Sequence, residues 1–171
     1  MDELARYRRV FRLVAILTGR PLASASVLAT LPAEIPDGPR GERIAVQAAR
    51  RFKPARLSLL DGPLADSLFA LAPQNREAWV IRRVLGFSER ETAIAMDCSR
   101  TVVRQRLETI GDTFSTEDAI AVRESMLQIG IPAGFQRHRQ ERAHARKILL
   151  LMVVVAGVAI GIDVLRRVFS G

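Results

Sequence analysis

The chain of 171 residues lacks the side chains on which much protein chemistry depends. It has one cysteine, Cys98, which excludes an internal disulfide framework and any zinc site built from several cysteines. Its two histidines, His138 and His144, exclude most histidine-based metal sites. Aromatic residues make up only 5% of the sequence, so a surface that stacks the bases of a single strand is not expected.

Catalytic patterns are missing as well. No nucleophile is paired with a base, and the segment GFSERE at 86–91 has neither the lysine nor the spacing of a phosphate-binding loop. Cys98 is predicted to be a buried, small apolar residue. We therefore expect a protein that is not an enzyme, with no catalytic residue, no metal and no cofactor.

Lysine is scarce, and arginine carries almost all the positive charge. Lys53 and Lys147 are the two lysines among 26 basic residues, which face 18 acidic residues and give a formal net charge of +8. This balance favours an anionic partner, such as nucleic acid or an anionic membrane. A basic surface that is merely solvated is the alternative.

One long apolar run lies near the end of the sequence. Residues 148–162 read ILLLMVVVAGVAIGI, fifteen positions without a polar side chain, and the apolar character resumes after Asp163. A helix over 148–165 spans roughly 27 Å, a little less than a bilayer core of about 30 Å. Basic residues on both sides can reach the interfaces, so we predict a single transmembrane helix over 148–165, with a buried core helix as the alternative.

The charges that flank this run predict its orientation. Residues 137–147, RHRQERAHARK, carry five basic side chains and one acidic side chain, whereas only two arginines follow the run. The side richer in Arg and Lys stays in the cytoplasm, so we predict a single-pass protein of the cytoplasmic membrane with its N-terminus in the cytoplasm. The basic segment is expected to meet anionic lipid headgroups. Gly157 and Gly161 are spaced so that two such helices can approach as a homodimer.

The rest of the chain predicts helices throughout. Apolar residues recur at helical spacing and never alternate for long, so the sequence predicts an all-α fold. Proline-rich loops are expected at 32–41 and 54–63. The apolar face of the third helix is predicted at Ile44, Ala48 and Phe52, and that of the last at Ala119, Val122, Met126 and Ile129, with Ile120 and Leu127 alongside. The predicted helices cover 3–18, 23–31, 42–53, 64–71, 73–85, 89–96, 99–110 and 115–129.

Two of these helices, joined by a short turn, have the pattern of a helix-turn-helix. Ser88 and Glu91 form a capping-box pattern at the start of the first helix. Asp97 and Cys98 form the turn, where an aspartate tolerates the left-handed conformation. Ser99 is expected to cap the second helix.

The second helix of the pair carries the candidate binding residues. Val103 and Leu107 face inward to seat it on the first helix, beside the small Ala93, so polar and basic side chains lie on the other face. Glutamine is suited to an adenine edge in the major groove, and arginine to a guanine or a phosphate. A solvated basic helix in an ordinary bundle is the alternative. The predicted DNA-binding residues are Arg100, Thr101, Arg104, Gln105 and Arg106.

Residues 71–108 resemble region 4 of extracytoplasmic-function bacterial sigma factors. The matching positions share that family's order and spacing, and Asp97 stands where the family usually has a turn glycine. They are Leu71, Pro73, Arg76, Glu77, Gly86, Ser88, Glu91, Ala93, Ser99, Val103, Arg106 and Leu107. The resemblance implies a helix-turn-helix that binds the −35 promoter element and docks on core RNA polymerase, with Arg104, Gln105 and Arg106 in the DNA-reading stretch.

The N-terminal part resembles sigma region 2 only in its opening. Residues 7–21, YRRVFRLVAILTGRP, are similar to that region's first helix and turn, but the acidic pair and the DNA-melting aromatic cluster are absent. The resulting organisation is a degenerate region 2-like part at 1–53, a linker at 54–63 and a region 4-like domain at 64–136. A basic juxtamembrane segment at 137–147 and the span at 148–165 follow.

Two functions follow from this organisation, with a purely structural helical domain as a third. The first is a membrane-tethered, sigma factor-like transcription regulator that binds double-stranded promoter DNA and core RNA polymerase. In the second, the helix-turn-helix is a protein-interaction module that sequesters a transcription partner at the membrane. Substitution of Arg104 and Arg106 separates the two, because it abolishes DNA binding only under the first.

Overall fold

The computed structural model describes residues 3–20, 31–32, 35–53 and 62–130. Within these ranges it contains α-helices and no strand, which confirms the predicted all-α class. The seven helices are α1 (Glu3–Thr18), α2 (Pro39–Ala49), α3 (Pro63–Ala70), α4 (Pro73–Trp79), α5 (Glu89–Met96), α6 (Arg100–Ile110) and α7 (Thr116–Gln128).

Helix α1 forms the centre of the N-terminal part. From Val10 to Thr18 all its residues except Arg12 are buried, so this half of the helix is enclosed on every side rather than along one stripe. α1 packs mainly against α2 and also contacts α7 and α4. Arg12 Nε donates to the carbonyl oxygen of Ile129 at 3.1 Å, which ties the end of α7 to α1.

Helix α2 begins three residues earlier than predicted. Proline is favoured in the first turn of a helix because it has no amide hydrogen to leave unpaired, and Pro39 starts α2 inside the stretch predicted as loop. Gly41 sits within the helix against the chain before it: a Cβ there would lie 2.5 Å from the Pro36 carbonyl oxygen, so a side chain is excluded.

The inward face of α2 also differs from the prediction. The helix ends at Ala49 rather than at 53, and Ile44 and Phe52 are only half-buried. The inner face also holds a charged residue, Glu42, which is fully buried. The buried positions of α2 are Gly41, Glu42, Ala45, Val46, Ala48 and Ala49.

The predicted single helix over 73–85 changes its winding partway. α4 is α-helical to Trp79 and continues as a π-helical segment over Val80–Val84. Leu85 N donates to the carbonyl oxygen of Val80 at 3.0 Å, a five-residue step that widens the turn. Val80, Ile81 and Val84 are buried in the core, whereas Leu85 is half-buried.

Helix α7 starts and packs largely as predicted. Ser115 caps it through a reciprocal bond pair with Asp118, and the predicted stripe of Ala119, Val122, Met126 and Ile129 is buried. The two apolar residues predicted beside that stripe are not covered: Ile120 is 52% exposed and Leu127 is 55% exposed.

The described helices belong to one compact unit, Met1–Pro132. Residues on both sides of the predicted linker contribute to it, because α2 packs against α5 and α1 contacts α4. The predicted helix at 23–31 lies outside the described residues except for Leu31, which is buried and not helical.

The tail predictions also fall outside the described residues. These are the basic segment 137–147, the membrane span 148–165 and the glycine pair at 157 and 161. In the portion of the chain that is described, no helix has the length and apolar character to cross a bilayer.

Candidate nucleic-acid interface

Helix α5 begins with the predicted capping box. Ser88 Oγ accepts a hydrogen bond from the Glu91 amide at 3.2 Å, and a Glu91 carboxylate oxygen accepts one from the Ser88 amide at 2.8 Å. The Ser88 hydroxyl also donates to this carboxylate at 2.7 Å, and the hydrogen bonds that the Ser88 hydroxyl and amide donate to it lower the pKa of Glu91 below its ordinary value. The reciprocal pair satisfies two amides that would otherwise lack partners, so the start of α5 is fixed in place.

The turn between α5 and α6 has the predicted left-handed residue. Asp97 has φ 58° and ψ 50°, and the Cys98 amide donates to the carbonyl oxygen of Ala93 at 3.0 Å to close the end of α5. Ser99 then caps α6, since its hydroxyl accepts from the Val102 amide at 3.3 Å. The turn therefore joins the two helices through three residues and fixes where α6 starts.

Cys98 differs from its prediction. It is half-buried rather than buried, because the left-handed turn holds it at the edge between the helices instead of inside them. Partial burial raises the pKa of its thiol above the ordinary value. A thiol in that state stays protonated at neutral pH, so nothing marks Cys98 as a nucleophile.

Helix α6 is seated by one of its two predicted apolar positions, Val103, and by Ile110, which was not predicted. Val103 is fully buried and Ile110 is 4% exposed, while Leu107 is half-buried. Ala93, 6% exposed, provides the small residue at the crossing with α5. Because Val103 and Ile110 are seven residues apart, they mark one inward line along α6, and the positions opposite them face solvent.

Four of the five predicted binding residues lie exposed on α6. They are Arg100, Thr101, Arg104 and Gln105. Arg104 donates to the carboxylate of Glu89 at 3.0 Å, in an ion pair whose arginine is 63% exposed. Such an exposed pair is weak, since both charges stay hydrated.

The fifth residue, Arg106, has a different environment. It is half-buried, and its Nη1 lies 3.5 Å from Asn75 Oδ1 on α4. Its Nε is buried without a hydrogen-bond partner in the described part of the chain. Arg106 thus lies along the contact between α6 and α4, beside the exposed face rather than on it.

Two further arginines lie near this face and were not predicted. Arg43 on α2 donates to Asp97 Oδ2 at 2.6 Å, and Arg90 is exposed in the first turn of α5. Arg43 and Asp97 are 54 residues apart, so no local pattern connects them. The one signal in the sequence for a distant basic partner was the turn aspartate itself. Arg90 is the one basic residue of α5, and it lies seven positions before Asp97.

A third missed arginine organises the frame behind the helix pair. Arg50, just after α2, donates to both carboxylate oxygens of Glu77 at 3.1 and 2.7 Å and to the Met96 carbonyl oxygen at 3.3 Å. The hydrogen bonds to Glu77 raise the pKa of Arg50. One side chain thereby connects α2, α4 and the end of α5, and so fixes the base on which α6 rests.

In the described ranges no group of three or more metal-ligating side chains lies together. Comparison with protein-family models, with curated proteins and with solved structures finds no significant match to this chain. The helix pair and its charges are therefore the features of the molecule that point to a function.

Proposed function

We propose that the protein is a transcription regulator that binds double-stranded DNA by inserting α6 into the major groove. The observation that carries this proposal is the division of α6 into two faces. Val103 is fully buried, whereas Arg100, Arg104 and Gln105 are exposed. An exposed helix face with arginine and glutamine, held by a short turn on a second helix, is the arrangement with which helix-turn-helix proteins read base edges.

Each exposed side chain has a definite role in this proposal. Gln105 pairs with an adenine edge, and Arg104 leaves Glu89 to contact a guanine or a phosphate. Arg100, in the first turn of α6, contacts a phosphate, and Thr101 lies beside it against the backbone or a thymine methyl group. Arg106 reaches the DNA only from the flank, since it is half-buried against α4.

The resemblance to sigma region 4 supports a more specific proposal. Under it the duplex is a promoter element of the −35 type, and the same helical body docks on core RNA polymerase. The apolar run at 148–165 and the basic segment at 137–147 support a tether to the cytoplasmic membrane, with the DNA-binding part in the cytoplasm.

Duplex binding by the full chain in a non-ionic detergent tests the proposal. Fluorescence anisotropy of a labelled duplex is expected to show binding that weakens steeply as salt rises, because bound arginines release counterions from the phosphates. The double variant Arg104→Ala/Gln105→Ala is expected to lose at least about tenfold in affinity, since each base contact contributes roughly 1–3 kcal/mol.

The matched control is Arg123→Ala, an exposed arginine on α7. It removes one positive charge without touching α6, so it is expected to bind almost as the unsubstituted chain does. Absence of duplex binding at low salt, or equal losses in the control and the double variant, contradicts the proposal.

One observation favours the protein-interaction function. Ile120 and Leu127 are seven residues apart on α7, on one face, and each is more than half exposed. If the helical body captures a transcription partner, we expect Ile120→Ser/Leu127→Ser to abolish binding of purified core RNA polymerase while duplex binding survives. Because the sigma-like proposal also includes docking on polymerase, this variant tests α7 as the docking surface, and unchanged polymerase binding contradicts that role.

A further inference from the structure

An open pocket of about 500 Å³ lies where α2, α5 and the start of α6 meet. Three of its seven lining residues are arginines, each from a different helix, and one is an acid, Asp97. The other three lining residues are Ala93, the partly exposed Ile94 and Cys98, so charged side chains form the majority of the lining. The pocket therefore suits a compact anion rather than an apolar ligand. The arginines are Arg43, Arg90 and Arg100.

Two of the three arginines are not engaged by an acidic side chain of the described ranges. Neither Arg90 nor Arg100 has a hydrogen-bond or ion-pair partner within the described part of the chain, and both are exposed. Arg43 is held by Asp97 at 2.6 Å, but both side chains of that pair are about half exposed, at 42% and 53%. Three cations thus surround one carboxylate, which leaves a net positive site.

We propose that this pocket holds a phosphodiester group of the DNA backbone next to the groove that α6 enters. The inference rests on the proposed function. The guanidinium fork matches the oxygens of a phosphate, so arginines from three directions can enclose one. Arg100 belongs both to the pocket and to the exposed face of α6, and this makes the two surfaces continuous.

The pocket gives the N-terminal part of the chain a role in DNA binding. Arg43 lies on α2, outside the helix-turn-helix, and it is brought to the pocket by the packing of α2 on α5. Its contribution is a backbone contact, which fixes the position of the body on the duplex and carries no base preference.

Asp97 opposes the phosphate in this site. Its carboxylate pairs with Arg43 and adds a negative charge to the pocket lining. A phosphate must share Arg43 with that carboxylate, so Asp97 weakens the binding of DNA. Asparagine keeps the left-handed conformation of the turn and removes the charge, so Asp97→Asn isolates this effect.

The first test uses the salt dependence of duplex binding by the full chain. Each phosphate contact contributes about 0.9 to the slope of log K against log salt concentration, so Arg43→Gln is expected to lower that slope by about this amount. The affinity is expected to fall several-fold and equally for all duplex sequences. Arg123→Gln on α7 is the control and leaves the slope unchanged.

The second test has the opposite sign. Asp97→Asn is expected to raise the affinity for duplex several-fold, and the control Glu124→Gln, which removes an exposed carboxylate from α7, is expected to leave it unchanged. Circular dichroism of each variant establishes that the helices remain folded, which is expected because the Arg43–Asp97 pair is exposed.

The outcomes separate this inference from the proposed function. If the unsubstituted chain binds no duplex, both fail. If it binds duplex and loses binding with Arg104→Ala/Gln105→Ala, but Arg43→Gln keeps the full slope, only the phosphate pocket is overturned. If pyrophosphate, added at matched ionic strength, competes with duplex for the unsubstituted chain and not for Arg43→Gln, while the salt slope of duplex binding is the same for both proteins, the pocket binds free phosphates. The inference as stated is then also overturned.

Discussion

Arginines behave differently in two regions of this molecule. Behind the helix pair, Arg50 holds the buried carboxylate of Glu77 with two hydrogen bonds, and Arg76 is 2% exposed, with its guanidinium 4.8 Å from the centre of the Phe69 ring. On α6, Arg100 has no partner in the described ranges, and Arg104 has one exposed ion pair. The residue type is the same in both regions, but the burial and the partners of the side chains differ.

The difference shows what burial does to a charge. Burial lowers the pKa of Arg76, with the neighbouring Glu77 acting in the opposite direction, because the charged form loses its hydration. Such a side chain is committed to the fold and cannot leave it to meet a ligand. The arginines of α6 keep their hydration and have little to lose, so they are the ones available to a phosphate or a base.

The largest loss of stability is expected where a substitution leaves a buried charged group without its ion-pair partner. Arg50→Ala strands the carboxylate of Glu77, whose side chain is only 4% exposed. Breaking a fully buried pair costs about 3–5 kcal/mol, and partial exposure of Arg50 reduces the expected loss to about 2 kcal/mol. Urea unfolding followed by the fluorescence of Trp79, the single tryptophan, measures it.

The neighbouring Arg51 provides the control, since its side chain is exposed. Arg51→Ala is expected to change the free energy of unfolding by less than about 0.5 kcal/mol. If Arg50→Ala and Arg51→Ala behave alike, the frame behind α6 does not depend on the Arg50–Glu77 pair and the comparison between the regions loses its basis.

A second prediction concerns the pH dependence of the buried side. Glu42 on α2 is fully buried and pairs with Arg9 on α1. Burial raises the pKa of Glu42 above its ordinary 4.5, more than Arg9 lowers it. The folded state therefore holds this proton more tightly than the unfolded chain does, and its contribution to stability is complete below pH 4.5 and is lost as pH rises through the raised pKa.

Glu42→Gln removes that titration. The free energy of unfolding of the variant is expected to fall less than that of the unsubstituted chain between pH 4.5 and 7, as measured by urea unfolding at several pH values. Glu124→Gln, an exposed glutamate on α7, is the control and keeps the pH dependence of the unsubstituted chain. Parallel curves for all three proteins contradict the assignment.

Local signals were enough to predict much of this fold. The capping box at Ser88 and the left-handed turn at Asp97 appear where the sequence predicts them, because each depends on residues at most three positions apart. The prolines and glycines of 32–41 predict a loop there, but Pro39 starts α2, because proline is also favoured in the first turn of a helix. The π-helical segment after Trp79 has no comparable local signal in the sequence, since Val80, Ile81 and Val84 are buried by contacts with other helices.

The candidate interface divides in the same way. Helical spacing predicts that Val103 faces inward, that Gln105 lies opposite and that Arg104 flanks that outer face, and the exposure of the three residues follows that spacing. Arg43 could not be predicted, because its place beside Asp97 comes from the packing of α2 on α5. The half-burial of Arg106 also comes from tertiary contact, with Asn75 on α4.

The smallest effect on stability is expected at Arg104. Its ion pair with Glu89 is exposed, so Arg104→Ala is expected to change the free energy of unfolding by less than about 0.5 kcal/mol, and alanine favours the helix at that position. The same variant is expected to weaken duplex binding, so the two measurements separate. Urea unfolding of Arg104→Ala beside Arg50→Ala gives the contrast directly. If Arg104→Ala loses as much free energy of unfolding as Arg50→Ala does, the Arg104 side chain stabilises the fold. It is then not available to contact DNA.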